Sequence, residues 1–367
     1  MPPVNLLIKP ASGNCNMRCT YCFYYDIMSK RTQASYGFMS LETLESVIKK
    51  ALSYAEGSCI IAYQGGEPSL CGLEFFKISL ELQKKYNVNH VKIQNAFQTN
   101  GYGLTRQWAD FFAENDILVG VSLDGGPKLH DYYRKDTKGE GTFYKIMDNI
   151  MLLKKAGVNF NILSVINAKT APYIKDNYKF YRKNGLDYLQ FIACLDPLEE
   201  EPGGREYSLT PRVYGQFLID LFEMWYHDLK KGRQPYIRQF ENYIAVLLGK
   251  RAESCDMNGV CGRQYTVEAD GSVYPCDFYV IDKYCLGNLT DDSMIDIDNV
   301  RARSRFIEDS MIKEESCREC RYSHVCRGGC RRTRQEKDNH QYYCMAYKMF
   351  FDTCLPAMLD IVKVIRR

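Results

Sequence analysis

The sequence predicts an α/β protein: a parallel sheet covered by helices, followed by a smaller cysteine-rich region. Three observations carry this. From residue 4 to about 195, short β-like runs alternate with helical patterns, as strand–helix–strand units require. The polar and glycine-containing motifs of that stretch follow strand candidates, where α/β barrels place their function. Beyond Cys255 the rhythm breaks and cysteines crowd the chain as far as Cys344. Six rather apolar strands fit a partial TIM-like (β/α)6 barrel better than an open sheet. The expected division is residues 1–235 for the barrel with its following helix, and 236–367 for the cysteine-rich region.

The first strand candidate, Asn5–Pro10, is short and ends at Lys9-Pro10, so no signal peptide is expected. Cys59–Tyr63, Val91–Gln98, Leu118–Leu123, Phe160–Ile166 and Tyr188–Ala193 follow as strands. Helical candidates Leu41–Ala55, Glu74–Tyr86, Thr105–Glu114, Phe143–Ala156 and Tyr173–Lys183 lie between them. Asp196–Tyr207 carries Pro197, three glutamates, Pro202 and paired glycines, and reads as a loop. Two helical stretches come next, Pro211–Lys231 with Trp225 and another near Phe240–Leu248. Asp270-Gly271 between Tyr265–Glu268 and Ser272–Tyr274 predicts a hairpin. The end, Met345–Arg367, reads as a helix with a kink at Pro356.

Composition narrows the function. A net charge of +3 over 367 residues is too small to argue for nucleic acid. No run of eighteen apolar residues suggests a membrane span. The basic group Arg327, Arg331, Arg332 and Arg334 reads as a counterweight to bound anions or as a solvated face. Sixteen cysteines without a secretory leader favour metal over disulfides, hence a reducing, anoxic cytoplasm.

Cys15, Cys19 and Cys22 stand in a CxxxCxxC spacing, in a loop after the apolar run Val4–Ile8. Tetrahedral zinc takes four protein ligands, usually from paired CxxC spacings. A four-iron cluster takes one cysteine per iron, so three cysteines leave one iron open to a small molecule. The tail offers eight candidate ligands, Cys255, Cys261, Cys276, Cys317, Cys320, Cys326, Cys330 and Cys344, enough to close two further clusters. Cys59, Cys71, Cys194, Cys285 and Cys354 are left as small buried hydrophobes or incidental thiols. Asp277, beside Cys276 and among aromatics, is a candidate general base.

The CxxxCxxC spacing with Tyr21 before its third cysteine resembles the radical S-adenosylmethionine (SAM) superfamily. There, SAM chelates the open iron and yields a 5′-deoxyadenosyl radical. Gly65-Gly66-Glu67-Pro68 resembles that superfamily's SAM-binding motif, whose backbone and carboxylate hold the SAM amino group. The tail spacings resemble the SPASM extension found on enzymes that modify peptides and proteins. Nearly end to end, from Leu6–Pro10 through Cys15–Tyr24, Tyr63–Pro68, Gln98–Gly101, Gln190–Leu198 and Tyr274–Tyr279 to Gly328–Arg332, the chain resembles the anaerobic sulfatase-maturating enzymes. These oxidise a cysteine or serine, in a Cys/Ser-x-Pro/Ala-x-Arg motif, to Cα-formylglycine.

The resemblance implies three [4Fe-4S] clusters and SAM as cofactors. By it, Cys15, Cys19 and Cys22 hold the SAM cluster, and Tyr21, Gly66, Glu67, Ser122, Arg134 and Leu195 contact SAM. Cys255, Cys261, Cys276 and Cys330 hold one auxiliary cluster; Cys317, Cys320, Cys326 and Cys344 hold the other. Asp277 matches the proposed base. The implied partners are an unfolded or nascent sulfatase polypeptide and a small electron donor such as flavodoxin or ferredoxin, with the enzyme a monomer. One alternative is a maturase that forms thioethers or other crosslinks in a ribosomal peptide. That chemistry favours an auxiliary cluster with an open iron, which eight ligands speak against. The other is a non-catalytic iron–sulfur or zinc regulator, which has no need of a SAM motif after the second strand.

Overall fold

A computed structural model describes residues 2–335 and 337–366. Its first four strands are β1 (Val4–Ile8), β2 (Ser58–Tyr63), β3 (Lys92–Thr99) and β4 (Leu118–Ser122). Then come β5 (Phe160–Ile166), β6 (Tyr188–Ala193) and β7 (Tyr236–Ile237). Three short strands complete the set: β8 (Tyr265–Val267), β9 (Ser272–Tyr274) and β10 (Gly287–Asn288). They fall into two compact units, neither of them continuous in the chain.

The first unit comprises residues up to Ser122, then Asp131–Phe160 and Arg263–Phe306. Its strands run in the order β10-β9-β8-β1-β2-β3-β4. β1 pairs in parallel with β2 on one side and with β8 on the other, where Leu6 faces Tyr265 and Ile8 faces Val267. β1 is therefore buried along nearly its whole length, which accounts for its unbroken Leu6-Leu7-Ile8 run. The expected hairpin is present: β8 and β9 are antiparallel, and Gly271 turns between them at φ +91°. The helix Leu41–Tyr54 starts where the Ser40 hydroxyl accepts the Thr43 amide, and it buries Leu44, Val47, Ile48, Ala51 and Leu52 as one stripe. Phe76, Phe97, Trp108 and Phe112 form an aromatic core, with Phe97 centred 5.0 Å from both Phe76 and Phe112.

The second unit comprises Leu123–His130, Asn161–Gly262 and the chain from Ile307 onward. β5 and β6 are parallel, with Ile162 opposite Leu189, and β7 extends them. The helix Pro211–Lys230 begins with Thr210 capping Val213 and with proline in its first turn. It packs on the last helix, Cys344–Ile365, at Gly215, where an added Cβ would lie 3.1 Å from the Ala346 Cα. Phe222, Trp225, Phe240 and Phe350 fill the space beneath them. In neither unit does the sheet close on itself, as an incomplete barrel requires. Among the described residues, no helix is long and apolar enough to cross a membrane.

Candidate active site

The first unit holds the three-cysteine loop. β1 ends at Lys9-Pro10, and a turn follows in which Ser12 N–H reaches the Lys9 carbonyl at 3.0 Å and Asn14 N–H the Ala11 carbonyl at 2.8 Å. The loop is pinned laterally by Arg18 N–H on the Lys135 carbonyl (2.8 Å) and Thr20 N–H on that of Tyr133 (3.2 Å). Cys22 then starts the helix Phe23–Ser29. The Cys15 sulfur accepts from the Met17 amide at 3.4 Å and from the Asn100 side-chain amide at 3.6 Å. Burial pushes the free Cys15 thiol upward, and these two donors pull it back toward the thiolate that a metal needs.

Asn100 is held in turn by Glu67. One Glu67 oxygen accepts the Ser69 amide (3.1 Å) and the Thr99 hydroxyl (2.8 Å), and the other accepts the Asn100 amide (2.7 Å). Asn100 also donates to the Asn16 side chain at 2.7 Å. Glu67 is fully buried, and burial raises its carboxyl. The sequence reading sends this carboxylate to SAM; in the structure both of its oxygens face protein donors. Glu67 thus ties the loop after β2 to the end of β3, and through Asn100 to Cys15.

Gly66 sits where the loop after β2 touches the cysteine loop. Its N–H donates to the Ser12 carbonyl and that of Glu67 to the Asn14 carbonyl, both at 2.8 Å. A Cβ here would lie 2.0 Å from the Asn14 oxygen, a backbone atom that no rotamer change can move. Gly66→Ala is expected to cost about 1–3 kcal/mol or more in overpacking. It should also displace the cysteine loop. Anaerobically reconstituted G66A should lose the SAM-induced change in its reduced-cluster spectrum while keeping tail iron; an unchanged spectrum would show that the loop tolerates the methyl.

Arg134, just after the helix Pro127–Tyr133, donates to the Tyr21 hydroxyl at 3.0 Å, both side chains buried. Ser122, the last residue of β4, accepts from Gln98 at 3.3 Å. Leu195 belongs to the second unit, two residues past the end of β6.

Asp277 is buried in the first unit and forms an ion pair with Lys9, whose side chain is wholly out of solvent. The Gln64 amide donates to its other oxygen at 2.7 Å. The Lys9 ammonium lies 3.9 Å from the centre of the Tyr24 ring, and Phe278 packs edge-on to Phe23 at 5.1 Å. A second buried pair lies close by, Arg31 with Glu268 at 3.1 Å. Burial pushes Glu268 up to about 7, opposed by the charge of Lys9 and by hydrogen bonds from Ser12 and the Ala269 amide. The sequence reading names Asp277 and misses the residues that hold it, Lys9, Gln64 and Tyr24. The available signal was a lysine closing an apolar strand.

The second unit gathers the tail thiols into two groups. Cys317, Cys320, Cys326 and Cys344 line one cavity of about 510 Å³, together with Lys313 and Lys348. A water takes roughly 30 Å³, so the space far exceeds what a single ion needs. Cys326 ends a helical turn, and the chain reverses through Arg327, Gly328 and Gly329, all with positive φ, to reach Cys330. Cys255, Cys261 and Cys330 surround a smaller space with Arg331 and Arg334. Burial raises the free thiols of Cys326 and Cys330 to about 11 and 12. Cys276 stands in the first unit, two residues past the end of β9.

No disulfide joins any two of the described cysteines. Cys59, Cys194 and Cys354 are buried as expected, whereas Cys71 is half-buried and Cys285 exposed, so these two are not core hydrophobes. Among the described residues, no three Cys, His, Asp or Glu side chains converge as a single metal ion requires. Thiols that share a cavity without converging on one point fit a cluster, in which each sulfur serves its own iron.

Comparison with known proteins agrees with this chemistry. Residues 10–181 match the radical SAM superfamily, and residues 255–321 an iron–sulfur cluster-binding domain, SPASM. A cysteine-type anaerobic sulfatase-maturating enzyme of Clostridium perfringens is 45% identical over the full length of both chains. A serine-type counterpart from Bacteroides thetaiotaomicron is 32% identical, over 98% of this chain and 91% of that one. The solved structure of native anSMEcpe with bound AdoMet and Cp18Cys peptide superposes with a TM-score of 0.94 at 45% identity, covering 99% of this chain and 100% of that one. Streptococcus suis SuiB bound to precursor peptide SuiA (TM-score 0.62, 14% identity, 94% and 76% coverage) shares the fold.

Proposed function

The chain belongs to the anaerobic sulfatase-maturating enzymes of the radical SAM superfamily, and from that membership we propose that its target is a cysteine in a sulfatase chain. It oxidises that residue, within Cys-x-Pro/Ala-x-Arg, to Cα-formylglycine. Full-length identity of 45% to cysteine-type enzymes, against 32% to a serine-type one, favours cysteine. The observation that carries the reading is the buried Asp277 carboxylate, held by Lys9 and Gln64 in the unit that bears the three-cysteine loop.

When bound, SAM and the three clusters would supply the removal of a hydrogen atom from the substrate Cβ and an acceptor for the second electron. Cys15, Cys19 and Cys22 hold the first cluster, and the Glu67–Asn100 link fixes Cys15. Tyr21, Gly66, Ser122, Arg134 and Leu195 shape the SAM site. Glu67 acts from behind them through its backbone-holding carboxylate. Asp277 takes the thiol proton of the target cysteine; with a hydrogen atom, that proton and one further electron gone the side chain is a thioaldehyde, which water hydrolyses to the aldehyde with release of hydrogen sulfide. Lys9 and Gln64 keep its oxygens oriented, and Lys9 offsets the cost of burying a carboxylate. Cys317, Cys320, Cys326 and Cys344 hold one auxiliary cluster, and Cys255, Cys261 and Cys330 contribute to the other. The assignment of Cys276 to that second set rests on the sequence resemblance alone. The substrate is an unfolded or nascent stretch, since the target side chain must reach a buried base. A small flavodoxin or ferredoxin supplies electrons, and the enzyme works as a monomer in the cytoplasm.

The test is anaerobic turnover of two short peptides, one with Cys-x-Pro-x-Arg and one with serine in its place. Mass loss with concurrent 5′-deoxyadenosine is expected from the cysteine peptide, and much less from the serine peptide. Equal yields would remove the cysteine preference; no modified peptide with either would overturn the assignment.

A further inference from the structure

Arg334 belongs to the basic group that the sequence reading assigns to anion balance or a solvated face. It is nearly buried, at 9% exposure. Its guanidinium is a hub for backbone carbonyls. Nε donates to Gly328 O at 3.0 Å; one terminal nitrogen donates to Ser310 O (2.6 Å) and Ile312 O (3.0 Å), and the other to Gly329 O (2.8 Å) and Gly259 O (3.5 Å).

These carbonyls come from three separate segments of the second unit, and each segment leads to a thiol ligand. Gly259 lies two residues before Cys261. Gly328 and Gly329 lie between Cys326 and Cys330. Ser310–Ile312 precedes Cys317, and the Ser310 hydroxyl also accepts the Cys261 amide at 2.9 Å. The guanidinium borders the space shared by Cys255, Cys261 and Cys330. Gly328 and Ile312, whose carbonyls accept from it, also line the cavity of Cys317, Cys320, Cys326 and Cys344.

We propose that Arg334 is a positioning residue shared by both tail sites: it fixes the ligand-bearing segments before iron arrives, and its permanent charge makes both bound clusters easier to reduce. The inference rests on the reading that these thiols hold clusters. A four-iron cluster on four thiolates is anionic and becomes more so on reduction, so a fixed cation beside it stabilises the reduced form. Arginine suits both tasks. Its planar fork presents five donors, and it does not lose its proton. An acceptor that is easier to reduce is what an oxidation of substrate needs.

The experiment uses the full chain with Cys15, Cys19 and Cys22 replaced by alanine, so that only tail iron reports. Arg334→Gln and Arg334→Lys are made in that background. Electron-paramagnetic-resonance redox titrations give the cluster potentials, and thermal melts are recorded on the iron-free protein. Both midpoint potentials should fall in R334Q and less in R334K, and both variants should melt earlier without iron. If R334Q fails to take up iron, a fully loaded R334K with lowered melting still supports the proposal, since it separates charge from fork. Unmoved potentials in a loaded R334Q would overturn the electrostatic role, and unmoved melting in both variants would overturn the positioning role. A parent chain that takes up no tail iron would instead overturn the cluster reading.

Discussion

Cys15→Ala is expected to abolish SAM cleavage while leaving iron in the tail. Cys15 is built into its surroundings, its sulfur facing the Met17 amide and the Asn100 side chain, with Asn100 held by the buried Glu67. Removing it leaves two thiols for four irons and no controlled open corner. Seven of the eight tail thiols belong to the other unit, Cys276 being the exception, and the substitution removes none of the eight. Chromatography of 5′-deoxyadenosine should show only background, and iron analysis should show partial, not total, loss. Undiminished SAM cleavage in this variant would remove the loop from the chemistry.

Asp277→Asn is expected to keep SAM cleavage and lose formylglycine by about 10²–10⁴-fold, the usual contribution of a general base. Stability confounds the experiment unless Lys9 is considered. With its carboxylate neutralised, Lys9 stays wholly buried without its ion-pair partner, a loss that typically costs about 3–5 kcal/mol. The single variant should therefore melt early as well as lose aldehyde. The double variant Lys9→Met/Asp277→Asn removes both charges and should regain much of the stability without regaining product. Peptide mass measured against 5′-deoxyadenosine, with a thermal melt of each variant, separates the two effects. Full aldehyde yield from either variant would exclude Asp277 as the base.

The strands were legible because their apolar runs are long and their flanks polar: β5 and β6 match their expected bounds, and the other four strands of the alternation differ by one or two residues. The helix Phe23–Ser29 was not legible, since seven residues are too few to show a helical period. Nor was Met294–Ser304, which buries only Met294, Ile297 and Arg301 and so has no apolar stripe. In the site, the cysteines were legible because ligand spacing is local. The groups that hold them were not. Lys9 and Asp277, or Arg334 and Gly259, are separated by long stretches of chain, and only tertiary structure makes them neighbours. Glu67 was legible from its motif, but the Ser69 amide, Thr99 hydroxyl and Asn100 amide that its oxygens accept were not.

The parallel pairing of β1 with β8 has a consequence for biosynthesis. One edge of β1 stays without its partner until about 260 further residues have been made, roughly 15–50 s at ribosomal speeds of about 5–20 residues per second. Throughout that interval an apolar strand is open to mispairing, so the nascent chain is a natural client for chaperones. The three-cysteine loop emerges first, whereas Asp277 arrives just after the hairpin that seals β1, so the sheet edge and the Lys9–Asp277 pair are completed together.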